Sequence, residues 1–128
     1  MKILGIGVDI IQNNRIKNSI KNLKIRERIY STNELKLSAS SKNKIEYFSK
    51  RFAAKEAFAK ALGTGFRNNL NFKDIEIMND NFGKPYYSMT KKITQIIRKK
   101  FKVKNFDCFL SISDEKEYST AFTIIQSL

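Results

Sequence analysis

Apolar residues change their spacing along the chain, and the change divides it into elements. Residues 2–11 form a short, β-branched apolar run ending before Asn13-Asn14, the pattern of a buried strand. Over residues 13–30, Ile16, Ile20, Leu23, Ile25 and Ile29 alternate with basic positions, predicting one or two short amphipathic helices docked by these residues. Ser31 or Thr32 caps a following turn that carries Glu34, and 38–43 is a polar loop. From Ile45 the intervals become three and four. Ile45, Phe48, Phe52 and Ala59 mark one stripe, with Ala54, Phe58 and Leu62 beside it. This long helix runs through Lys50 to a close at Gly63 and Gly65. Phe66 to Asn71 is a polar connection, Phe72 to Met78 alternates as a strand, and Asn79 to Gly83 is a turn leading to a return strand over 85–89. Thr90 to Val103 reads as a basic helix, and 106–113 with 118–126 as a closing hairpin around residues 114–117. No repeat, Pro-rich linker or composition break divides the 128 residues, so one domain spans 1–128.

Charges inside these patterns raise the first chemical questions. On the initial strand Gly5, Gly7 and Asp9 share one face, opposite Leu4, Ile6, Val8 and Ile10. Either the glycines clear space for a ligand beside a carboxylate able to hold a hard cation, or they admit a packed helix while Asp9 takes a backbone hydrogen bond. On the long helix, Glu56 and Lys60 follow Phe52 at four-residue steps. They are either a simple i,i+4 pair or inward charges that need partners. The Gly-x-Gly pair is no dinucleotide fingerprint, because Ile10 stands where the third glycine would be. With Lys55 and Lys60 alongside, Asp9 and Glu56 suit a Mg²⁺-and-phosphate site.

Composition narrows the chemistry. The sequence has no histidine and the single Cys108, which excludes zinc sites and Ser–His or Cys–His catalysis and fits a reducing compartment. The apolar start is too short for a membrane span and carries Asp9, so a cytoplasmic protein is expected. A net charge of +13 points to an acidic partner, although Lys-, Asn- and Ile-rich composition throughout the chain accounts for part of it. Arg15, Lys17, Lys21, Lys24, Arg26 and Arg28 face only Glu27 in their segment, making it the candidate docking surface.

Three signatures in order then identify a resemblance: Gly5-Ile6-Gly7-Val8-Asp9-Ile10, then Arg51-Phe52-Ala53-Ala54-Lys55-Glu56-Ala57 through Lys60 and Gly63-Thr64-Gly65, then Gly83-Lys84-Pro85. With Leu110-Ser111-Ile112-Ser113 opening the hairpin, the chain resembles the holo-(acyl carrier protein) synthase family of 4′-phosphopantetheinyl transferases over essentially its whole length. The resemblance implies an α+β fold, with a small, mostly antiparallel sheet against a long central helix and shorter helices. It implies transfer of the phosphopantetheine arm from coenzyme A to a serine of apo acyl carrier protein in fatty acid biosynthesis, by a homotrimer with active sites between subunits. Carried over by motif, Asp9 and Glu56 would hold Mg²⁺ and Lys60 would join them in catalysis. Arg51, Lys60 and the Gly65 backbone would bind coenzyme A phosphates, Lys84 and Pro85 would lie near the nucleotide, and Ser113 would complete the cofactor set. Arg15, Lys21, Lys24, Arg26 and Arg28 would dock the acidic carrier protein. Asp114 departs from the pattern, for the family commonly has histidine there. It either points away from the phosphates or is compensated by lysines. Two alternatives stand beside this reading: a small basic RNA-binding module, which the charge and interleaved aromatics suggest, and a non-catalytic scaffold for acyl carrier protein, which Asp114 suggests.

Overall fold

The computed structural model describes residues 1–67 and 69–128. Asn68, in the predicted 66–71 connection, lies outside the described residues. Strand β1 (Lys2–Gln12) is followed by helices α1 (Asn13–Ser19), α2 (Leu23–Ile29), α3 (Thr32–Ser38) and the long α4 (Lys44–Leu62). Then come the short strands β2 (Ile77–Asn79) and β3 (Pro85–Tyr87), helix α5 (Lys91–Phe101), and the hairpin β4 (Phe106–Asp114) and β5 (Tyr118–Ser127). The fold is α+β. β1, β5 and β4 form one antiparallel sheet in that order, and β2 and β3 pair separately.

Helix α4 lies across the inner face of the three-stranded sheet, and the glycines of β1 set how close it comes. A Cβ on Gly5 would meet the Ala61 carbonyl oxygen at 1.8 Å, and one on Gly7 would meet that of Ala57 at 1.8 Å. Backbone therefore packs on backbone, and the cleared face of the strand is filled by Ala57 and Ala61 rather than open to a ligand. Of the two readings of Gly5 and Gly7, helix packing is the one observed. Phe48, Phe58 and Leu62 of α4, Ile11 of β1, and Ala121 and Ile125 of β5 share the core with Ile93 and Ile97 of α5. Tyr87 ties the two sheets to the helix: its hydroxyl donates to the Ala54 carbonyl at 2.6 Å and lies 2.6 Å from the Thr123 hydroxyl.

The outer sheet face is apolar and uncovered. Ile6, Val8 and Ile10 of β1, Phe122 of β5 and Phe109 of β4 are all exposed, Ile10 at 65%. The two-residue alternation of β1 is as predicted, but the strand is buried on one face only.

The helix ends follow their capping chemistry. Ser31 and Glu34 form a reciprocal capping box at α3, Asn43 caps α4 through the Glu46 amide, and Gly63 closes α4 with φ +81°. Gly65 lies beyond the helix, also with positive φ. Three expectations need correction. Residues 72–78 are not one strand: Phe72–Asp74 is a 3₁₀ turn, because the Asp74 carboxylate accepts the Asn71 amide at 2.8 Å and locks the backbone before β2 begins. The return strand is likewise short, ending at Tyr87. Leu23 and Ile25 do not dock α2; they are exposed, while Ile16 is buried and Ile20 and Ile29 pack against the core.

Candidate active site

Asp9, Glu56 and Lys60 meet where β1 passes α4. The Lys60 ammonium donates to the Asp9 carboxylate at 3.1 Å and to the Val8 carbonyl at 3.0 Å. Of the two readings of Glu56 and Lys60, the i,i+4 pair does not form; Lys60 reaches across to the strand instead. Glu56 has no ion-pair partner among the described residues, and its carboxyl is held above the usual carboxylate range by burial and by the negative charge of Asp9, with Lys60 opposing. Asp9 and Glu56 line one groove of about 310 Å³ with Arg15, Ser19 and Phe52. The groove thus holds two hard oxygen donors with an exposed ammonium beside them.

Lys55 does not belong to this cluster. It is fully buried on another side of α4, where its ammonium meets the Glu34 carboxylate at 2.6 Å, the Phe72 carbonyl at 3.1 Å and the Ile75 carbonyl. Glu34 spends its other oxygen on the Ile77 amide at 3.1 Å. Burial pulls the Lys55 ammonium below its usual range, against the pull of Glu34. Expecting Lys55 beside Lys60 fails on helical phase, because five residues turn about 140°. Glu34 carried no signal in the sequence beyond its place in the cap.

Arg51 opens on a second, larger cleft of about 790 Å³, lined also by Lys42, Lys50, Asn79, Gly83 and Pro85. Its guanidinium stacks 3.6 Å from the Tyr47 ring centroid, donates to Asn79 Oδ1 at 2.8 Å and to the Tyr47 carbonyl at 3.2 Å, and leaves Nε without a partner. Lys84, exposed, stands between the two lining residues Gly83 and Pro85. Ser113 is exposed, one residue beyond Ile112 at the cleft wall. Gly65 lines neither cleft. Asp114 does not stand alone: Lys50 lies 3.3 Å from it and 2.8 Å from Glu46. Asp114 is thus paired with a lysine, and Lys50 is a residue the motifs did not single out. Its only signal was adjacency to Arg51.

The basic segment is displayed as predicted on α1, α2 and the turn between them. Arg15, Lys21, Lys24 and Arg28 are exposed and Arg26 is half-buried. Arg15 also borders the Asp9–Glu56 groove, so the cationic surface runs to its edge. Cys108 is free and half-buried, its thiol pushed up to about 12 by burial and by Asp107, and so unreactive near neutrality. No helix among the described residues is long and apolar enough to cross a membrane.

The fold agrees with the comparisons to known proteins. The family model described as the 4′-phosphopantetheinyl transferase superfamily matches residues 5–123, and the chain belongs to that superfamily. Among curated relatives it is 57% identical over 126 residues, 98% of both chains, to a holo-[acyl-carrier-protein] synthase of Pelagibacter ubique. It is 45% identical, over 98% of this chain and 99% of the relative, to the synthase of Buchnera aphidicola from Schizaphis graminum. Two solved structures superpose closely. The holo-(acyl-carrier-protein) synthase of Bacillus anthracis in complex with CoA (3′,5′-ADP) gives a TM-score of 0.82 at 36% identity, covering 100% of both chains. That of Neisseria meningitidis gives 0.86 at 35% identity, covering 98% and 99%.

Proposed function

We propose that the chain transfers the 4′-phosphopantetheine arm of coenzyme A to a serine hydroxyl of apo acyl carrier protein, releasing 3′,5′-ADP, in the cytoplasm and in the service of fatty acid biosynthesis. The observation that carries this is the meeting of Asp9 and Glu56 in one groove, with Lys60 bonded to Asp9 beside it, in a chain that belongs to the phosphopantetheinyl transferase superfamily. The serine oxygen forms a new bond to the phosphorus bearing pantetheine, the bond from that phosphorus to the 3′,5′-ADP oxygen breaks, and the serine proton passes to a carboxylate or to water held by one. Lys60 stands ready to neutralise the charge that builds on the leaving oxygen.

The donor set fits Mg²⁺. Two carboxylates share one groove, where burial first and the charge of Asp9 second raise the proton affinity of Glu56, and Mg²⁺ asks for no more than one or two carboxylates when substrate phosphates complete its shell. Asp9 and Glu56 would hold it, and when bound it supplies Lewis-acid stabilisation of the phosphoryl oxygens. The basic face of α1 and α2 takes the acidic carrier protein, with Arg15 leading to the groove.

Arg51, Lys84, Pro85 and Ser113 contact the same cofactor from a second copy. Arg51 and Glu56 are five residues apart on one rigid helix, about 140° around its axis, and open on different clefts. The exposed strip of Ile6, Val8, Ile10, Phe109 and Phe122 gives each copy an apolar face to bury, which supports a homotrimer with sites at its junctions.

Intact mass of apo acyl carrier protein, after incubation with the chain, coenzyme A and Mg²⁺, tests the reaction. A gain of one phosphopantetheine arm that EDTA abolishes is expected; no gain with folded protein and fresh apo acceptor refutes it.

A further inference from the structure

Helix α5 carries a cationic side that neither the transferase groove nor the basic face of α1 and α2 uses. No acidic residue occurs from Asn81 to Phe106. Ile93 and Ile97 pack into the core shared with α4, so α5 lies on the helix side of the sheet, away from its uncovered outer strip. Lys92, Gln95 and Lys99 recur at steps of three and four and share one side of α5, with Lys100 next to them. Thr64 and Arg67, from the segment after α4, form the facing wall. Together they line a cleft of about 840 Å³ that has no residue in common with the two clefts already described. Its charges are out of balance. Lys92 is held by Asp74 at 2.6 Å, but Arg67, Lys99 and Lys100 are exposed and have no ion-pair partner among the described residues. A cleft lined by one sign of charge concentrates the field and draws in the counter-ion that relieves it.

We propose that this cleft binds a small polyphosphate, free or as the phosphate chain of a nucleotide, at a site separate from the transferase groove. Arg67, Lys99 and Lys100 together demand dense negative charge over a short distance, which a phosphate chain carries and a peptide with spaced carboxylates does not. The Thr64 hydroxyl and the Gln95 amide add neutral donors on the two walls. A nucleic-acid strand suits the cleft less well: none of the lining residues is aromatic, so there is no platform for unstacked bases, and the volume is that of a small-ligand site. The site does not depend on the transferase reading, since none of its residues belongs to that groove.

The test is titration calorimetry of tripolyphosphate, ATP and adenosine at about 0.15 M salt, in EDTA without Mg²⁺. Wild type is compared with Arg67→Gln, the double variant Lys99→Gln with Lys100→Gln, Lys60→Gln, and the double variant Lys102→Gln with Lys104→Gln, which removes the same charge just beyond the cleft. Wild type should bind tripolyphosphate and not adenosine. The Lys99 and Lys100 double variant should weaken binding about tenfold and Arg67→Gln about fivefold, while Lys60→Gln and the Lys102 and Lys104 double variant stay near wild type. Tighter binding of ATP than of tripolyphosphate assigns the site to a nucleotide, and equal binding assigns it to the phosphate chain alone. No binding by wild type, or equal weakening in the two lysine double variants, overturns the proposal, the second by showing only diffuse attraction. Loss of binding in Lys60→Gln overturns it too, by placing the ligand in the transferase groove. Lys99 and Lys100 are exposed, so the variants should fold; should the double variant melt early, the single substitutions Lys99→Gln and Lys100→Gln take its place. No acyl carrier protein takes part, so a chain that fails to transfer leaves this result readable.

Discussion

Lys55 and Lys60 lie on the same helix, in the same motif, five residues apart, and they have opposite fates. Lys55 is sealed in the core against Glu34 and two backbone carbonyls, with no solvent contact. Lys60 is more than half exposed, bonded to Asp9 at the edge of a groove. The same division applies to their neighbours: Arg51 shares the side of Lys55, and Glu56 the side of Lys60. Charge type therefore says little about role; helical phase and what the opposite element offers decide it. A buried lysine must be fully paired and so becomes structure, whereas a groove lysine can exchange partners and so is available for chemistry.

Breaking the buried side should have the largest effect. Lys55→Met leaves the Glu34 charge inside without its partner and should lower stability by about 3–5 kcal/mol in urea unfolding, with KM values of the surviving folded protein unchanged. Gly7→Ala drives a methyl into the Ala57 carbonyl and should cost about 3 kcal/mol by forcing α4 off the sheet, seen in the same titration. On the groove side the ranking reverses. Lys60→Ala should reduce transfer about 100-fold, equivalent to about 2.7 kcal/mol in the barrier, while its exposed ion pair leaves stability within about 1 kcal/mol of wild type.

The smallest effect has a sign that separates the two sides most sharply. Because the folded chain raises the Glu56 carboxyl above its unfolded value, the native state binds more protons than the unfolded state between those two values, and stability falls as pH rises through that window. Glu56→Gln should therefore stabilise the metal-free protein at pH 7, by about 0.5 kcal/mol after allowance for solvent screening, and lose that advantage at pH 4. Transfer should fall at the same time. Thermal melts at the two pH values check the first part and the mass assay the second.

Much of this was legible in the sequence, for physical reasons that also mark its limits. Period-two alternation over 106–113 and 118–126 and the three-four spacing from Ile45 are local signals, and hairpin and helix follow them closely. The 72–78 stretch misled because Asn71 and Asp74 offer the backbone a competing local bond that outweighs alternating apolar residues. Gly5 and Gly7 fitted two readings, and only the approach of Ala57 and Ala61 separates them. The Lys55–Glu34 pair joins residues 21 apart in sequence, and no local pattern announces it. Asp9 and Glu56 were nominated as a pair on residue type and face, and the structure brings them to one groove. Arg51, nominated for the same cofactor, opens elsewhere, as its five-residue step from Glu56, about 140° around the helix, already requires.

That separation carries the central claim, that the two halves of the site meet only between copies. Its direct test is complementation. Arg51→Gln and Glu56→Gln, each inactive alone, are co-expressed with different tags, and doubly tagged assemblies are assayed for transfer to apo acyl carrier protein. Mixed trimers should recover about a third of wild-type activity, because about one junction in three pairs two intact halves. Mixed assemblies as inactive as either parent would contradict the claim and place the whole site within one chain.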